Sequence, residues 1–137
     1  MKHARPTAQG FTLMDVLMTM ACVAALTALA WPSYQSLLLR SQRAQARTAL
    51  LQAAHWFERA ASANGTYPAS SEVPASVLQV EGQRYQMRVT STTQSYTLSA
   101  APIGPQSADT CGTLTIDHLG VRGVQSASQT AAQCWSR

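Results

Sequence analysis

The sequence contains few charged side chains for its length. Of 137 residues, ten are Lys or Arg and six are Asp or Glu, so the formal net charge is +4. Without residues 1–10, which include Lys2 and Arg5, eight basic and six acidic residues remain and the net charge is +2. A field this weak does not favour a nucleic-acid partner, because such binding depends on many phosphate contacts. The low-charge, Ser- and Thr-rich composition fits an extracytoplasmic protein.

Patterns typical of catalytic sites are also missing. The chain contains no G-x-S-x-G, no phosphate-binding loop and no H-E-x-x-H. Asp117 and His118 are adjacent in a segment with the composition of a turn, and His55 is expected on a helix surface. We therefore predict that the protein is not an enzyme and has no cofactor.

Cysteine is scarce, and the three cysteines fall into two groups. Cys22 lies in an apolar stretch, where we expect it to behave as a small buried apolar residue. Cys111 and Cys134 lie in the C-terminal region and are free to pair in a disulfide, which would contribute about 3 kcal/mol and indicate an oxidising compartment. The alternative is metal binding, but the spacing is wrong, since no C-x-x-C occurs and only His118 lies between the two cysteines. We predict a disulfide and no metal.

The dominant feature that is present is an apolar stretch from Phe11 to Leu39. Its only ionisable side chains are those of Asp15, Cys22 and Tyr34. The stretch can span a bilayer, which requires about 20 residues. A carboxylate within a membrane is costly and is usually functional and paired. The alternative to a functional, paired acid is that the Asp15 side chain snorkels to the lipid headgroups, since Asp15 lies near the start of the stretch.

Beyond Leu39 the pattern becomes amphipathic. Apolar residues recur at spacings of three and four, which predicts one buried helix face; they are Leu50, Ala53, Phe57 and Ala60 or Ala61. We predict a single helix from Phe11 to about Ser62, ended by Asn64-Gly65. Its arginines at positions 40, 43 and 47 line another face. We interpret that face as solvated, or alternatively as a strip that contacts acidic groups on neighbouring subunits or lipid headgroups.

The rest of the chain predicts a small antiparallel sheet. Residues 65–83 read as an irregular connection, rich in turn-forming residues. Apolar residues alternate with polar ones over 85–90 and over 96–100, which predicts a hairpin with one buried face. A third strand is expected over 111–117 and a fourth near Val121-Arg122. The fold class is therefore α+β, with a long N-terminal helix packed against about four antiparallel strands.

The start of the chain resembles a known family. Gly10-Phe11-Thr12-Leu13 with an acid at Asp15, opening a membrane-length helix, is similar to the class III signal of type IV pilins and pseudopilins. The resemblance implies that a prepilin peptidase cuts after Gly10, on the cytoplasmic face, and N-methylates Phe11. The acid of the family is a glutamate, which neutralises the N-terminal amine of a neighbouring subunit during assembly. Asp15 keeps the charge but is one methylene shorter.

Further motifs carry the same resemblance. Pro32, in Ala30-Trp31-Pro32-Ser33-Tyr34-Gln35, corresponds to a proline at which type IVa pilin helices bend or locally melt. Cys111-Gly112 opening a strand, the Gly120–Gly123 turn and Cys134-Trp135 resemble short type IVa minor pilins. The family organisation implies a leader at residues 1–10, a transmembrane or filament-core helix at 11–38, an amphipathic helix at 39–62 and a globular sheet region with a disulfide loop at 63–137.

The resemblance implies a minor pilin that is assembled into a type IV pilus or primes it, in adhesion, twitching motility or DNA uptake. Its partners would be other pilin subunits, prepilin peptidase, the inner-membrane assembly machinery and, before assembly, the membrane. Nucleic acid is not favoured as a partner but stays open. The expected location is the inner membrane, with a cytoplasmic N-terminus, followed by the cell-surface pilus.

Three alternatives remain. A pseudopilin of type II secretion shares the N-terminal signal. Ala28-Leu29-Ala30 matches a small-residue cleavage site, so a secretory signal could instead be cut before Trp31 and release a periplasmic binding module. A module that stays anchored in the membrane without polymerising is the third. The position of cleavage separates these from a pilin.

Overall fold

The computed structural model describes residues 10–136. Residues 1–9 of the predicted leader, with Lys2 and Arg5, and the terminal Arg137 lie outside the described residues. The chain divides between Leu37 and Leu38 into two compact units, which we describe separately. Four strands in one sheet and the helix predicted before them confirm the α+β class.

The long helix, α1, spans Leu13–Asn64 and is close to the predicted range. Gly65 follows it with φ +77°, and the Gly65 N–H donates to the Ala61 carbonyl at 2.8 Å. Glycine adopts this left-handed conformation without a steric penalty. The predicted helix stop is therefore confirmed.

In the second unit, the C-terminal half of α1 contributes one face of the hydrophobic core. Its buried residues follow the predicted spacing: Ala46, Ala49, Leu50, Ala53 and Phe57. Phe57 stacks on Tyr96 with ring centroids 4.7 Å apart. The helix is therefore fixed to the sheet by an apolar stripe with an aromatic contact near its end.

The sheet contains four antiparallel strands in the order β1-β2-β3-β4. Their bounds are Tyr85–Ser91 for β1, Tyr96–Pro102 for β2, Thr113–Asp117 for β3 and Arg122–Gln125 for β4. The predicted alternation is confirmed, because the buried side chains occupy every second position; these are Tyr85, Met87, Tyr96, Leu98, Ala100, Leu114 and Ile116. The third and fourth strands begin later than predicted.

Two regions contain short helices that the sequence analysis did not predict. The connection after α1 contains the 3₁₀ helices Ser70–Glu72, Ala75–Leu78 and Glu81–Gln83, where we expected irregular structure. A short helix, α2, spans Ala131–Trp135 in the predicted irregular tail. Its first turn is held by a capping box, in which Thr130 and Gln133 bind each other's backbone N–H. Helices of one turn depend on such local bonds, and they are too short to show a period in the sequence.

Candidate functional site

Asp15 forms part of a capping box at the start of α1. The Thr12 N–H and hydroxyl both donate to Asp15 Oδ2, at 3.1 and 2.8 Å, while the Asp15 N–H donates to Thr12 Oγ1 at 3.3 Å. This reciprocal arrangement satisfies N–H groups that otherwise lack partners at a helix N-terminus. Among the described residues, Asp15 Oδ1 accepts no hydrogen bond. The carboxylate is therefore held by one oxygen while the other stays available.

Sequence reasoning singled out Asp15 but not Thr12. The signal was present, since Thr followed three residues later by an acid is the spacing of a capping box. Both members lie after the predicted cleavage point, so the box belongs to the mature chain if Gly10–Phe11 is cut. The side chain of Phe11 is 91% exposed just ahead of the helix.

The first part of α1 combines an apolar surface with internally satisfied polar groups. Thr19 donates to the Val16 carbonyl and Thr27 to the Val23 carbonyl, at 2.9 and 2.7 Å. Hydroxyls that donate to carbonyls of their own helix need no water as a partner. They can therefore lie in the interior of a lipid bilayer or a filament, where water is absent. In the part of the chain that the structure describes, α1 is the one helix long and apolar enough to cross a membrane, and its apolar window is not buried.

Pro32 lies inside α1 and is exposed. Proline has no N–H to donate within a helix, which is the basis of the predicted kink. The kink stays a prediction, as do cleavage at Gly10–Phe11, methylation of Phe11 and the assembly role of Asp15.

Cys22 is a free, exposed thiol, although we expected it to be buried. It lies on the apolar surface that the protein itself does not cover.

The second group of predicted residues comes together at the disulfide. Cys111 and Cys134 are bonded, with their Cα atoms 5.6 Å apart, and both are fully buried. The bond joins the segment before β3 to α2. At the end of α2, the Trp135 indole N–H donates to the Gly123 carbonyl at 3.0 Å, and the Arg122 guanidinium lies 5.3 Å from the centre of the Trp135 ring. The predicted disulfide is confirmed, and no metal-binding cluster is found among residues 10–136.

A buried carboxylate that the sequence analysis did not identify lies beside this disulfide. Asp109 Oδ1 accepts from Arg43 Nη2 at 2.6 Å and from the Cys111 N–H at 3.1 Å. Asp109 Oδ2 accepts from Arg43 Nε at 2.9 Å, from the Tyr85 hydroxyl at 2.8 Å and from Gln106 Nε2 at 3.1 Å. Every lone-pair direction of the carboxylate is therefore occupied by a donor.

Arg43 was predicted to lie on a solvated face or to contact acidic groups outside the chain. That prediction is wrong, because Arg43 makes a two-pronged ion pair with Asp109 of the same chain, and the Asp109 side chain is fully buried. Arg47 is also bonded internally, to the Ser136 carbonyl. The two arginines connect α1 to the segments on either side of the disulfide. Arg40 is exposed, as expected.

The electrostatics of this cluster keep Asp109 ionised. Burial by itself raises the pKa of Asp109, but the hydrogen bonds from Arg43, the Cys111 N–H and Tyr85 outweigh it, and the pKa is lowered. The hydrogen bond to Asp109 raises the pKa of Arg43. Burial is the main cause that raises the pKa of Tyr85, so its hydroxyl stays protonated as a donor. The arrangement anchors the disulfide region and has no group poised for proton transfer.

The outward face of the sheet is polar and slightly basic. Arg84 precedes β1 and Arg88 lies within it, and both are exposed, as are Gln86 and Thr90 at alternate positions. Arg88 is paired across the sheet with Ser99, which is in turn paired with Thr115. Within the described residues, neither arginine forms a salt bridge. This face therefore presents the positive charge of Arg88 among hydroxyl and amide groups, and Arg84 adds a second exposed charge just ahead of the strand.

A membrane-length apolar helix with an acid in its first turn, joined to a four-stranded antiparallel sheet with a C-terminal disulfide, defines the type IV pilin class. The family described as "Type IV minor pilin ComP, DNA uptake sequence receptor" matches residues 32–115, more than half of the chain. The chain belongs to this family of type IV minor pilins. The family and the fold are those of structural, non-enzymatic proteins.

Solved structures agree with this assignment. A type IV pilin from Shewanella oneidensis is 33% identical, with a TM-score of 0.54, and the match covers 72% of this chain and 99% of that one. The non-core minor pilin PilV from Neisseria meningitidis is 22% identical, with a TM-score of 0.53 and coverage of 70% and 95%, and it shows the fold alone. No curated protein matches the chain significantly.

Proposed function

We propose that this chain is a minor-pilin subunit of a type IV pilus, made as a precursor that is cut between Gly10 and Phe11 and then N-methylated at Phe11. The observation that carries the proposal is the exposed apolar surface of α1 between residues 13 and 38. Exposed apolar surface of this extent needs a partner. Before assembly that partner is the inner membrane, and in the pilus it is the helices of neighbouring subunits.

The position of cleavage tests the processing step. We expect the protein isolated from its native membrane to begin with N-methylated Phe11, as measured by intact mass and N-terminal sequencing. The control is Gly10→Val, which should block processing because it removes the glycine after which the proposed cut is made. A native chain beginning at Trp31 would instead identify a secreted module, and an uncut chain would identify a static anchor.

Asp15 tests the assembly step. Thr12 donates to Asp15 Oδ2, and Oδ1 accepts no hydrogen bond from the described residues, which supports the proposal that Oδ1 accepts the N-terminal amine of a neighbouring subunit. Asp15→Ala removes this acceptor, and we expect incorporation into sheared pili to be lost while processing continues. Asp15→Glu restores the family residue and is the matched control, which we expect to incorporate at least as well. Normal incorporation of Asp15→Ala would contradict the assembly role and favour snorkelling.

DNA binding is a second candidate function, supported by the description of the matching family and by one structural observation. The matched residues 32–115 include Arg84, just ahead of β1, and Arg88, on its outward face, and both are exposed without a salt bridge to any described residue. Guanidinium groups flanked by hydroxyl and amide side chains suit contacts to phosphate oxygens. Such contacts are compatible with uptake of DNA along a pilus. Two arginines provide few phosphate contacts, so binding should be weak at physiological salt.

The test is binding of a fluorescent DNA duplex to the detergent-solubilised full chain over a series of salt concentrations. We expect Arg84→Gln with Arg88→Gln to weaken binding and to lower the slope of log affinity against log salt by about 2, since each phosphate contact contributes about 0.9. Arg40→Gln with Arg59→Gln, both on the exposed surface of α1, is the charge-matched control and should change neither. An unchanged salt slope in the double variant would rule out this face as the DNA site.

A further inference from the structure

Strand β2 runs back along α1 toward the residue at which the apolar stretch ends. Tyr96, the first residue of β2, stacks on Phe57, with ring centroids 4.7 Å apart. After β2 comes the 3₁₀ helix Gly104–Ala108, in which Gln106 Nε2 donates to the Leu39 carbonyl at 3.0 Å. The helix α1 rises about 27 Å from Leu39 to Phe57, and the seven residues of β2 span about 23 Å. The end of β2 therefore lies beside the last residue of the apolar stretch.

An exposed aliphatic side chain is held at this end of the sheet. Ile103, directly after β2, is 40% exposed. Its N–H donates to the Arg84 carbonyl at 2.9 Å, and its carbonyl accepts from the Gln106 N–H at 3.2 Å. Leu38, where the second unit begins, is also exposed, at 43%. This end of the second unit therefore presents apolar side chains from both the helix and the sheet.

Two arginines accompany these apolar side chains. Arg40 follows Leu39 on α1, and Arg84 precedes β1 and is bonded to Ile103 through its carbonyl. Both arginine side chains are exposed, and within residues 10–136 neither forms a salt bridge. The same end of the unit therefore combines aliphatic side chains with uncompensated positive charge.

The acidic side chains in this region do not neutralise the two arginines. Asp109 lies close to Gln106, but it is buried and paired with Arg43. Glu81 is exposed, and it lines a cleft whose α1 wall extends over residues 41–52, along the globular half of the helix. The charge at this end of the unit therefore favours an anionic partner.

The length of α1 indicates which anionic partner lies at this level. From its first residue, Leu13, to Leu39 the helix rises about 40 Å. A bilayer with its headgroup regions is about 40–45 Å thick. Trp31 and Tyr34, both exposed, come shortly before Leu39, and such side chains are typical of the membrane interface. A helix of this length that begins at one face of the bilayer brings Leu39 to the headgroups of the other face.

We propose that Leu38, Arg40, Arg84 and Ile103 form a docking surface for the anionic lipid headgroups of the membrane that anchors α1; we call it the headgroup face. The guanidinium groups of the two arginines bind lipid phosphates, which they match in geometry and charge. The two aliphatic side chains enter the interfacial layer between the headgroups. This inference rests on the proposed function for the placement of α1 in the membrane. The contact operates before assembly, so Arg84 is free for DNA phosphates once the subunit has left the bilayer.

Fluorescence quenching in vesicles tests the contact. In a Cys22→Ala background, the full chain with Ser107→Cys, exposed on the 3₁₀ helix Gly104–Ala108, carries an environment-sensitive fluorophore. The vesicles contain phosphatidylcholine, phosphatidylglycerol and a lipid with a nitroxide on its headgroup. We expect strong quenching of this label and weaker quenching when the phosphatidylglycerol is omitted. The native disulfide does not take up the label, because Cys111 and Cys134 are paired and fully buried.

A second label position and matched variants separate docking from proximity to the vesicle. Gln94→Cys, exposed in the loop at the other end of β2, should be quenched little. Arg40→Gln with Arg84→Gln should lower the ratio of docked to undocked chains more than about tenfold in anionic vesicles, because each basic residue near such a surface contributes about fivefold. The charge-matched control, Arg59→Gln with Arg122→Gln, should leave the ratio unchanged.

The apolar part of the contact has its own pair of variants. Ile103→Ser removes the aliphatic side chain without adding charge and should reduce quenching of the label at position 107. Ile103→Leu keeps an aliphatic side chain of the same size and should retain the quenching. Near-ultraviolet circular dichroism of each variant checks that the second unit is folded.

The outcomes distinguish this inference from the proposed function. Equal quenching at positions 107 and 94, or quenching at position 107 that survives the Arg40 and Arg84 substitutions, would overturn the headgroup face. A chain that is cut at Gly10 and enters pili, but whose label at position 107 is not quenched, fails this inference and keeps the proposed function. Quenching at position 107 together with a native chain that remains uncut supports the headgroup face and refutes the proposed processing.

Discussion

Replacing Asp109 by Asn tests the buried cluster that connects α1 to the disulfide region. The substitution keeps the shape of the side chain but puts an NH₂ group where an oxygen accepts hydrogen bonds. In one orientation the NH₂ faces Arg43 Nη2 and the Cys111 N–H. In the other it faces Arg43 Nε, the Tyr85 hydroxyl and Gln106 Nε2. Either orientation places donors against donors and leaves the Arg43 charge without a counterion.

The size of the effect follows from burial. The side chains of Arg43 and Asp109 are 14% and 0% exposed. Removal of one partner of a buried ion pair typically lowers the free energy of unfolding by about 3–5 kcal/mol. For a domain of this size such a loss lowers Tm by more than about 10 °C. Thermal unfolding of the full chain in detergent, followed by near-ultraviolet circular dichroism, measures the change.

Asp117→Asn is the matched control. Asp117 uses one oxygen, Oδ1, to accept the two turn N–H groups, and the amide oxygen of Asn can accept both. We expect a loss below about 1 kcal/mol, as for most substitutions outside buried networks. Arg43→Met combined with Asp109→Leu removes both charges and should recover part of the stability lost in Asp109→Asn. Equal Tm values for Asp109→Asn and Asp117→Asn would refute this account of the cluster.

The same carboxylate predicts a dependence of stability on pH. Because the pKa of Asp109 is lowered in the folded protein, its contribution is present above the unfolded pKa of about 3.9 and is lost as the pH falls through the folded value. We expect the native chain to lose stability below about pH 4 and Asp109→Asn to lose less over that range. A titration of Tm against pH measures the difference, and parallel curves would contradict it.

Two further substitutions test the region around the disulfide. Gly112 has φ +53°, and a Cβ there would overlap the Gln125 carbonyl oxygen, whereas Gly104 has φ +58° and open space around it. Gly104→Ala should lower the free energy of unfolding by roughly 1–2 kcal/mol, which is the cost of the left-handed conformation by itself. Gly112→Ala should lower it by clearly more, because the added Cβ also overlaps the carbonyl oxygen. Similar losses for both variants would contradict this steric explanation. Cys111→Ser with Cys134→Ser should lower it by about 2–5 kcal/mol in urea unfolding, and an unchanged midpoint would show that the bond does not stabilise the fold.

Much of the architecture was predictable because its signals are local. The 3.6-residue period around Leu50 and Phe57 indicates one buried helix face. The alternation through Tyr85 and Met87 indicates one buried strand face. Gly65 marks the end of α1 because only glycine adopts its φ value without strain. Residues within one helix or strand are positioned by geometry that repeats along the chain. Their neighbours can therefore be inferred without knowledge of the path of the chain.

The amino-acid sequence by itself determined the membrane-length helix, the acid at Asp15 and the paired cysteines, because each depends on composition or spacing. Only the tertiary structure decided that Arg43 binds Asp109, 66 residues away, and that the Trp135 indole N–H donates to the Gly123 carbonyl. An ion pair or a surface between distant segments depends on how the elements pack. Its partners carry no local pattern that distinguishes them from solvated residues of the same type.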